Sequence, residues 1–314
     1  MNSSEHYRDA YVLSSLGPRD LVELWSVKRL PFEPKGWLER MRADLRQAVP
    51  TLECGSGEVL HATYMSRITD PCDAENILFY NVGASYFIRS CAGGLRFERV
   101  FSRLPSAPDS LTEEPLHYQR YEVAKRGSGF AHWRSDGTLA QWQLDYEAVR
   151  SSSSPTSIWY RTKRGLGEIA ASTPSVPSKY GLSITLDYPA GSVVNASALV
   201  KPLFDGILSA FHSHDGMMVE EISRRLARQL EVEPADVARC LLSESNAVLG
   251  RRQLVFLRGK SVQWNPDDDR CVAGELFLNP SERRTDSWGL SGALFKVKEY
   301  SPTGPPAPSP PASA

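Results

Sequence analysis

The chain has 314 residues, of which 41% are hydrophobic and 23% are charged, and its formal net charge is -1. This length exceeds one ordinary domain of ~100–200 residues, and the composition is that of a globular protein with a buried core, so we predict two domains. A chain with almost no net charge does not attract polyanions as a whole. A nucleic-acid site would therefore need a local basic patch.

The cysteines are scattered, odd in number and without a C-x-x-C pair; they are Cys54, Cys72, Cys91, Cys240 and Cys271. This spacing favours neither a disulfide framework nor a tetrahedral zinc site, so we expect buried free thiols in a reducing compartment. The polar N-terminus has no apolar signal-peptide core, and no window approaches the ~18 apolar residues of a membrane span. We therefore expect a cytoplasmic protein that does not contact a membrane.

The first half of the chain predicts two helices followed by a mainly antiparallel sheet. The apolar residues at 21–25, after Pro18, and those at 37–48 recur at near-helical spacing. An Asp136-Gly137 pair between apolar runs predicts a hairpin turn, because both residues tolerate positive φ. The other strands predicted in this half are 59–65, 77–82, 85–88, 95–101 and 158–160.

Two Ser/Pro-rich stretches, 151–155 and 172–178, lack apolar periodicity and predict exposed linkers. We place the domain boundary at the second. The prediction is a helical start plus an antiparallel β domain over residues 1–170 and an α/β domain with a helical insertion over 171–300. The uncharged Pro/Ser/Ala-rich end, 301–314, predicts a disordered tail.

The second half predicts an α+β arrangement built on a strand, a turn and a helix, so the fold class predicted for the whole chain is α+β. The strand at 181–187 leads through a turn to an amphipathic helix at 196–212. The remaining predictions are helices at 219–230 and 234–249, a hairpin formed by 254–257 and 262–264, and strands at 271–278 and 292–297.

The segment from residue 183 to 208 carries Lys201 and Asp205 four residues apart on its predicted helix. It resembles the core of RusA-type crossover-junction endonucleases, a family with a D-x-D-N cluster at the helix start, then Lys three residues after the Asn, then Asp four residues further on. The resemblance covers residues 181–216, and Asp215 falls near the family's later aspartate.

The acidic cluster of that family is absent from this segment, which reads Asn195-Ala-Ser-Ala198 at the corresponding place. Mg²⁺ is a hard ion that prefers charged oxygen ligands, and an amide and a hydroxyl replace them poorly. The resemblance therefore implies a nuclease-like scaffold whose own copy of the site is inactive.

A second acidic segment lies in the first half and includes Asp70, Asp73 and Glu75. Asp73-Ala-Glu75-Asn76 looks like the missing D-x-[DE]-N, whereas Phe79 and Gly83 stand where the Lys and Asp should be. Two interpretations stay open. In the first, the two halves are a decayed duplication in which each keeps the residues that the other lost. In the second, the segment is a solvated turn stabilised by Asx-type capping.

Under the first interpretation Asp70, Asp73 and Glu75 are candidate Mg²⁺ ligands, with Asp205 or Asp215 alongside. Lys201 and Asp205 otherwise form an ordinary i,i+4 pair on a helix surface. His212 and His214 have the spacing of a metal pair with Asp215 as a third ligand, but such histidines are also typical of a helix C-terminus. The acidic run at 267–269 does not fit a calcium loop and reads as a solvated turn.

The three predicted helices and the hairpin follow one another in the order of a winged helix-turn-helix. Basic residues surround the hairpin and are the candidate contacts for nucleic acid or a protein partner: Arg251, Arg252, Arg258 and Lys260. The third helix carries little positive charge, so contact with phosphates is better supported than base readout.

No nucleotide-binding or standard hydrolase motif occurs in the sequence. Because no single segment retains a full ligand set, the sequence favours a non-catalytic binding or interaction protein on a degenerate nuclease-like scaffold. The alternative is a Mg-dependent endonuclease using Asp70, Asp73 and Glu75. Lys201, Asp205 and Asp215 are the catalytic candidates, and Mg²⁺ is the cofactor expected only under that alternative.

Overall fold

The protein is described by a computed structural model that covers residues 10–16, 21–101, 104–146, 153–166, 176–281 and 288–300. Within those ranges the helices pack on a nine-stranded mixed sheet in which only two neighbouring strand pairs are parallel. The α+β class predicted from the sequence is confirmed. None of the described helices is long and apolar enough to cross a membrane.

The elements follow in chain order. The helices are α1 (Trp37–Ala48), α2 (Pro155–Gly165), α3 (Ala196–Ala210), α4 (Val219–Leu230) and α5 (Pro234–Leu242). The strands of the first half are β1 (Tyr11–Leu16), β2 (Leu21–Ser26), β3 (Glu58–Ser66), β4 (Gly94–Val100) and β5 (His117–Lys125). The later strands are β6 (Trp133–Tyr146), β7 (Tyr180–Pro189), β8 (Ser213–His214), β9 (Arg251–Arg252), β10 (Val255–Arg258), β11 (Ser261–Trp264), β12 (Cys271–Ser281) and β13 (Trp288–Glu299).

Several predicted elements of the first half are wrong. The predicted first helix is strand β2, which lies between β1 and β5 and buries Val22 and Leu24 on one face. The predicted strands at 77–82 and 85–88 are a π-helical segment, Asn76–Tyr80, and a short 3-10 turn. Apolar runs this short do not distinguish a strand from a buried helix.

The predicted strand at 158–160 belongs to α2, which begins at Pro155. The Ser154 side chain accepts a hydrogen bond from the backbone N–H of Ser157, and a proline in the first turn favours the helix start. The predicted hairpin at Asp136-Gly137 is also wrong, because β6 continues through it with a local register shift against β13 and Gly137 at φ 118°.

In the second half most predicted elements are confirmed: α3, α4, the β10–β11 hairpin, β7, β12 and β13. The helix predicted to reach residue 249 stops at Leu242, and strand β5 was missed. The predicted tail, 301–314, and residues 172–175 of the predicted linker lie outside the described residues.

The sheet contains the same four-stranded arrangement twice. The edge strand β1 stands outside this arrangement. From the edge of the sheet to its centre, the remaining strands follow in the order β2-β5-β3-β4 in one half and β6-β13-β7-β12 in the other. In each half the second and third strands along the chain pair in parallel, and the fourth pairs antiparallel with the first and second. One helix, α1 or α2, joins the first strand to the second. The sheet is continuous across the predicted boundary at residue 170, and this topology groups β6 and α2 with the second half.

The repeat extends to the residue level near the acidic segments. His61 pairs with Arg96 across β3 and β4, Ser183 pairs with Glu275 across β7 and β12, and Arg96 stands opposite Glu275 where the halves meet. Twelve residues separate His61 from Asp73 and likewise Ser183 from Asn195. Asp73 and Asn195 each immediately precede the start of a helix. The two segments compared in the sequence therefore occupy equivalent places in the fold.

Helix α3 covers one face of the sheet and forms the centre of the main core. Its residues Leu203, Phe204 and Ile207 are buried. The centroid of the Phe204 ring lies 5.1 Å from that of Phe97 on β4. The α4–α5–hairpin unit, inserted between α3 and β12, packs against α2 in a smaller core that includes Trp159, Leu226 and Leu254. This unit forms one wall of the cleft described below.

The junction of the halves depends on a buried ion pair, which gives a first prediction. Arg96 is 1% exposed and its guanidinium donates to Glu275 Oε2 (3.1 Å), Ser128 Oγ (3.2 Å) and the Arg126 carbonyl (2.7 Å). We expect Arg96→Met to lower the free energy of unfolding by about 3–5 kcal/mol in urea titrations, because it leaves buried acceptors unpaired.

A matched control is Arg67→Met, which breaks an exposed ion pair with Glu114 and should change stability by less than about 1 kcal/mol. Equal effects of the two substitutions would show that the junction does not depend on Arg96.

Candidate metal centre

The first acidic segment lies at the start of a helical turn that follows β3. Asp73 immediately precedes this turn, and its Oδ2 accepts a hydrogen bond from Asn76 Nδ2 at 2.6 Å. Glu75 lies in the first turn with a side chain only 2% exposed. Carboxylates are favoured at a helix N-terminus, where free N–H groups and the helix dipole attract negative charge.

Helix α3 supplies Lys201 and Asp205 from the equivalent place in the second half. The helix begins after Asn195, whose Oδ1 accepts from the backbone N–H of Ala198 at 3.3 Å. The i,i+4 spacing brings the Lys201 ammonium to 2.7 Å from Asp205 Oδ1. This pair does not extend into open solvent as an ordinary surface pair would, because the first acidic segment faces it.

A third segment contributes Asp268, from the short turn before β12. Its Oδ2 lies 2.7 Å from Lys201 Nζ. Asp267, at φ 65°, fixes this turn through ion pairs with Arg252 and Arg270 and through its carbonyl, which accepts from Tyr180 Oη at 2.7 Å. The sequence interpretation of a solvated turn therefore missed a member of the cluster.

Arg99 on β4 ties the two acidic loops together. Its buried guanidinium donates to the carbonyl oxygens of Asp70 (2.6 Å), Cys72 (2.6 Å) and Asp269 (3.0 Å). Asp73 and Asp268, which follow and precede those carbonyls, are thus held in a fixed relation. No sequence pattern marks Arg99, because its partners are backbone atoms of loops 29 and 170 residues away.

The four carboxylates surround one ammonium. Lys201 Nζ lies 2.7 Å from both Asp205 and Asp268, 3.1 Å from Glu75 Oε1 and 3.6 Å from Asp73 Oδ2. One oxygen each of Asp73, Glu75 and Asp268 lie within 4.8 Å of one another. This spacing allows the three oxygens to ligate a single cation.

Burial and mutual repulsion raise the pKa values of Asp73, Glu75 and Asp205. Burial, with Asp268 next in effect, raises the pKa of Asp73 to about 6. Burial also raises the pKa of Glu75 to about 8 and that of Asp205 to about 7, and the Lys201 ammonium only partly opposes these rises. The same carboxylates hold the pKa of Lys201 well above its usual value. The cluster therefore attracts a further positive charge, either a proton or a metal ion.

Asp73, Lys201, Asp205 and Asp268 line an open cleft of about 1010 Å³, whereas Glu75 is buried and is not among its lining residues. Its lining combines residues of the first half, including Arg29, Phe32 and Tyr80, with residues of the β10–β11 hairpin and its neighbours, including Trp264 and Gln229. A substrate in this cleft would contact both halves of the chain at once.

The other acidic candidates lie apart from the cluster. Asp70 is exposed and contributes its carbonyl oxygen, not its carboxylate, to Arg99. Asp215 caps the turn after β8, where its Oδ1 accepts from the Met217 N–H at 2.9 Å. The His212 ring nitrogens face the carbonyl oxygens of Gly250 and Pro266 at 3.2 and 3.0 Å, which leaves neither nitrogen directed at Asp215.

The four basic candidates around the hairpin separate into two groups. Arg252 is half-buried in its ion pair with Asp267, and Arg251 Nη2 donates to the Asp215 carbonyl at 2.6 Å. Arg258 and Lys260 are exposed at the hairpin tip. Only the second pair is placed to contact a partner without first giving up an ion pair or a backbone contact.

The raised pKa values predict how stability depends on pH. A carboxyl whose pKa is higher in the folded than in the unfolded protein holds a proton that the unfolded chain has already lost, so the free energy of unfolding falls as pH rises. Burial lowers the pKa of His117 and His212 to about 4, which acts in the opposite sense, but only below the ordinary histidine pKa of 6.5. In EDTA, we therefore expect urea titrations to show a loss of stability between about pH 6.5 and pH 8.

The matched comparison is Glu75→Gln, which removes the carboxyl with the pKa of about 8. Its stability should change less over the same pH interval. A wild-type stability that is flat or rising in this interval would mean that the carboxylates are not strained by one another.

No protein-family model, no curated protein and no solved structure matches this chain, so the functional assignment depends on the geometry and charge of this cleft.

Proposed function

We propose that this protein is a divalent-metal-dependent phosphodiesterase of the nuclease class, in which Asp73, Glu75 and Asp268 hold Mg²⁺ or Mn²⁺. The observation that carries the proposal is the convergence of four carboxylates on Lys201 from three separate segments, with Asp73, Asp205, Asp268 and Lys201 lining one open cleft. Carboxylate oxygens are the ligands that Mg²⁺ prefers in proteins.

Charge balance supports a cation rather than a purely structural network. If all four carboxyl groups are ionised, four negative charges face the single positive charge of Lys201. Buried charges in excess of their partners are costly, and the raised pKa values of Asp73, Glu75 and Asp205 express that cost. A divalent ion would offset most of the excess and displace the bound protons.

The members of the cluster would have different roles in the attack of water on a phosphodiester. Asp73, Glu75 and Asp268 would hold the ion, which supplies charge stabilisation for the phosphate oxygens. Asp205 lies outside that group of three and would accept the proton of the attacking water. Lys201 would stabilise the leaving oxygen by a hydrogen bond as the phosphorus–oxygen bond breaks, and a solvent proton would complete the hydroxyl product.

The sequence favoured a non-catalytic protein because neither segment alone held a full ligand set. Asp73-Ala-Glu75-Asn76 from the first half lies beside Lys201 and Asp205 from the second, so the two incomplete patterns complement each other in space. The two segments together resemble the residue pattern of the RusA-type family described in the sequence analysis. That pattern supports phosphodiester chemistry as the reaction class.

The test is a calorimetric titration with Mg²⁺ and Mn²⁺ combined with hydrolysis of bis(p-nitrophenyl) phosphate. We expect saturable binding by the wild type and none by Asp73→Asn/Glu75→Gln, with hydrolysis falling to background. The double variant should be at least as stable as the wild type at pH 8 without metal, since it removes two mutually repelling charges.

Asp70→Asn and Asp215→Asn are the matched controls, because they remove carboxylates that lie apart from the cluster. Both should bind metal and hydrolyse the substrate like the wild type. Absence of metal binding by the wild type at millimolar concentration, together with a loss of stability in the double variant, would contradict the proposal. The cluster would then be an ion network that serves stability.

A second candidate function is non-catalytic binding through the hairpin tip, and the observation that favours it is the exposure of Arg258 and Lys260. We expect Arg258→Glu/Lys260→Glu to weaken binding of a labelled DNA duplex and to flatten its salt dependence, because each phosphate contact releases counterions. An unchanged affinity would exclude the hairpin tip as the binding surface.

A further inference from the structure

One end of the cleft carries two exposed aromatic rings. Phe32 is 58% exposed and Tyr80 is 52% exposed, and their rings are stacked with centroids 5.3 Å apart and planes 10° from parallel. Large aromatic side chains are normally buried, so two of them stacked in the open beside a polar site need an explanation. The two rings stack on each other, and more than half of each side chain remains accessible to a ligand in the cleft.

This aromatic platform, Phe32 with Tyr80, is rigidly held. The Leu30 carbonyl accepts a hydrogen bond from the buried Asn81 Nδ2 at 2.9 Å, and the Phe32 carbonyl accepts one from Arg42 at 3.4 Å. Leu30 is itself buried in the main core. A platform fixed on both sides can receive a planar group without the entropic cost of first ordering a loop.

Charged groups on the same cleft complete a recognisable pattern. Arg29 is exposed and lines the cleft together with Phe32 and Tyr80. Gln229 lines both this cleft and a neighbouring cavity of about 940 Å³, whose lining includes Arg161 and Arg164. Aromatic stacking combined with arginines along a groove is the arrangement by which proteins bind single-stranded nucleic acid.

We infer that the cleft binds a single-stranded nucleic acid, with one base stacked on the Phe32–Tyr80 platform and the adjacent phosphate near Arg29. This inference rests on the proposed phosphodiesterase function and names its substrate class. A stacked duplex presents no free base face to the platform, whereas an unpaired strand does. The strand would cross the metal centre and continue past Gln229 toward Arg164.

The experiment measures binding of a labelled oligonucleotide of about eight nucleotides, once as DNA and once as RNA, with Ca²⁺ and separately with EDTA. We expect Phe32→Ala/Tyr80→Ala to weaken single-strand binding about ten-fold or more without changing its salt slope. Arg29→Gln should lower the salt slope by about one, since it removes one phosphate contact. The DNA and RNA arms tell which sugar the strand carries.

Tyr300→Ala is the matched control, because Tyr300 is also an exposed aromatic residue but stacks on Arg134 outside the cleft. It should bind like the wild type. Unchanged affinity of Phe32→Ala/Tyr80→Ala, or equal affinity of the wild type for a duplex of the same length, would overturn the inference.

Failure of this inference is distinguishable from failure of the proposed function. Calorimetry should give the same metal affinity for Phe32→Ala/Tyr80→Ala as for the wild type, because neither ring supplies a ligand oxygen to the group Asp73, Glu75 and Asp268. Metal binding with an unaffected oligonucleotide affinity would refute the platform alone. Absent metal binding with a platform-dependent affinity in EDTA would refute the phosphodiesterase alone.

Discussion

The antiparallel pairing of β4 with β12 is the contact on which the rest of the structure depends, because it joins the two halves of the sheet. A Cβ atom on Gly94 would stand 2.2 Å from the Leu276 carbonyl, and one on Gly274 would stand 2.2 Å from the Phe97 ring. The strands can approach this closely only where a side chain is absent. That approach sets α3 opposite the first acidic segment, and so brings together residues that the chain separates widely.

At this junction, the repulsion among the clustered carboxylates opposes the packing that the fold requires. Four carboxylates repel one another in a half-buried position, while the fold needs the loops that carry them to stay in place. Arg99 resolves this conflict by binding loop carbonyls instead of the carboxylates, so the loops are fixed while the acidic groups stay available to bind a proton or a cation. Such strain is typical of functional sites, which are stabilised by the surrounding structure rather than by their own contacts.

The sequence predicts the second half of this fold better than the first, for physical reasons. Helices α3 and α4 have long amphipathic faces, and β12 has a bounded apolar run, so their periods are unambiguous. The runs that became β2 and the π-helical segment Asn76–Tyr80 are too short to reveal their period. Glu75 and Lys201 were each visible as parts of a pattern, but their contact across 126 residues depends on sheet topology. Asp268 was visible only as part of an acidic run interpreted as a solvated turn, because its contact with Lys201 depends on the placement of the loop before β12.

The repeated strand arrangement contains a second location, at the start of α3, that is equivalent to the place of the first acidic segment. There the equivalents of Asp73 and Glu75 are Asn195 and Ser197, and Ser197 Oγ donates to the Ala84 carbonyl at 2.8 Å instead of facing a charge. The equivalent of Lys201 is Phe79, which is fully buried in the core. The second location is thus uncharged and packed at the same interface where the first acidic segment concentrates negative charge. In a single chain, favourable packing at one location can therefore offset the repulsion between carboxylates at the other. Two identical subunits with identical sites could not divide these roles.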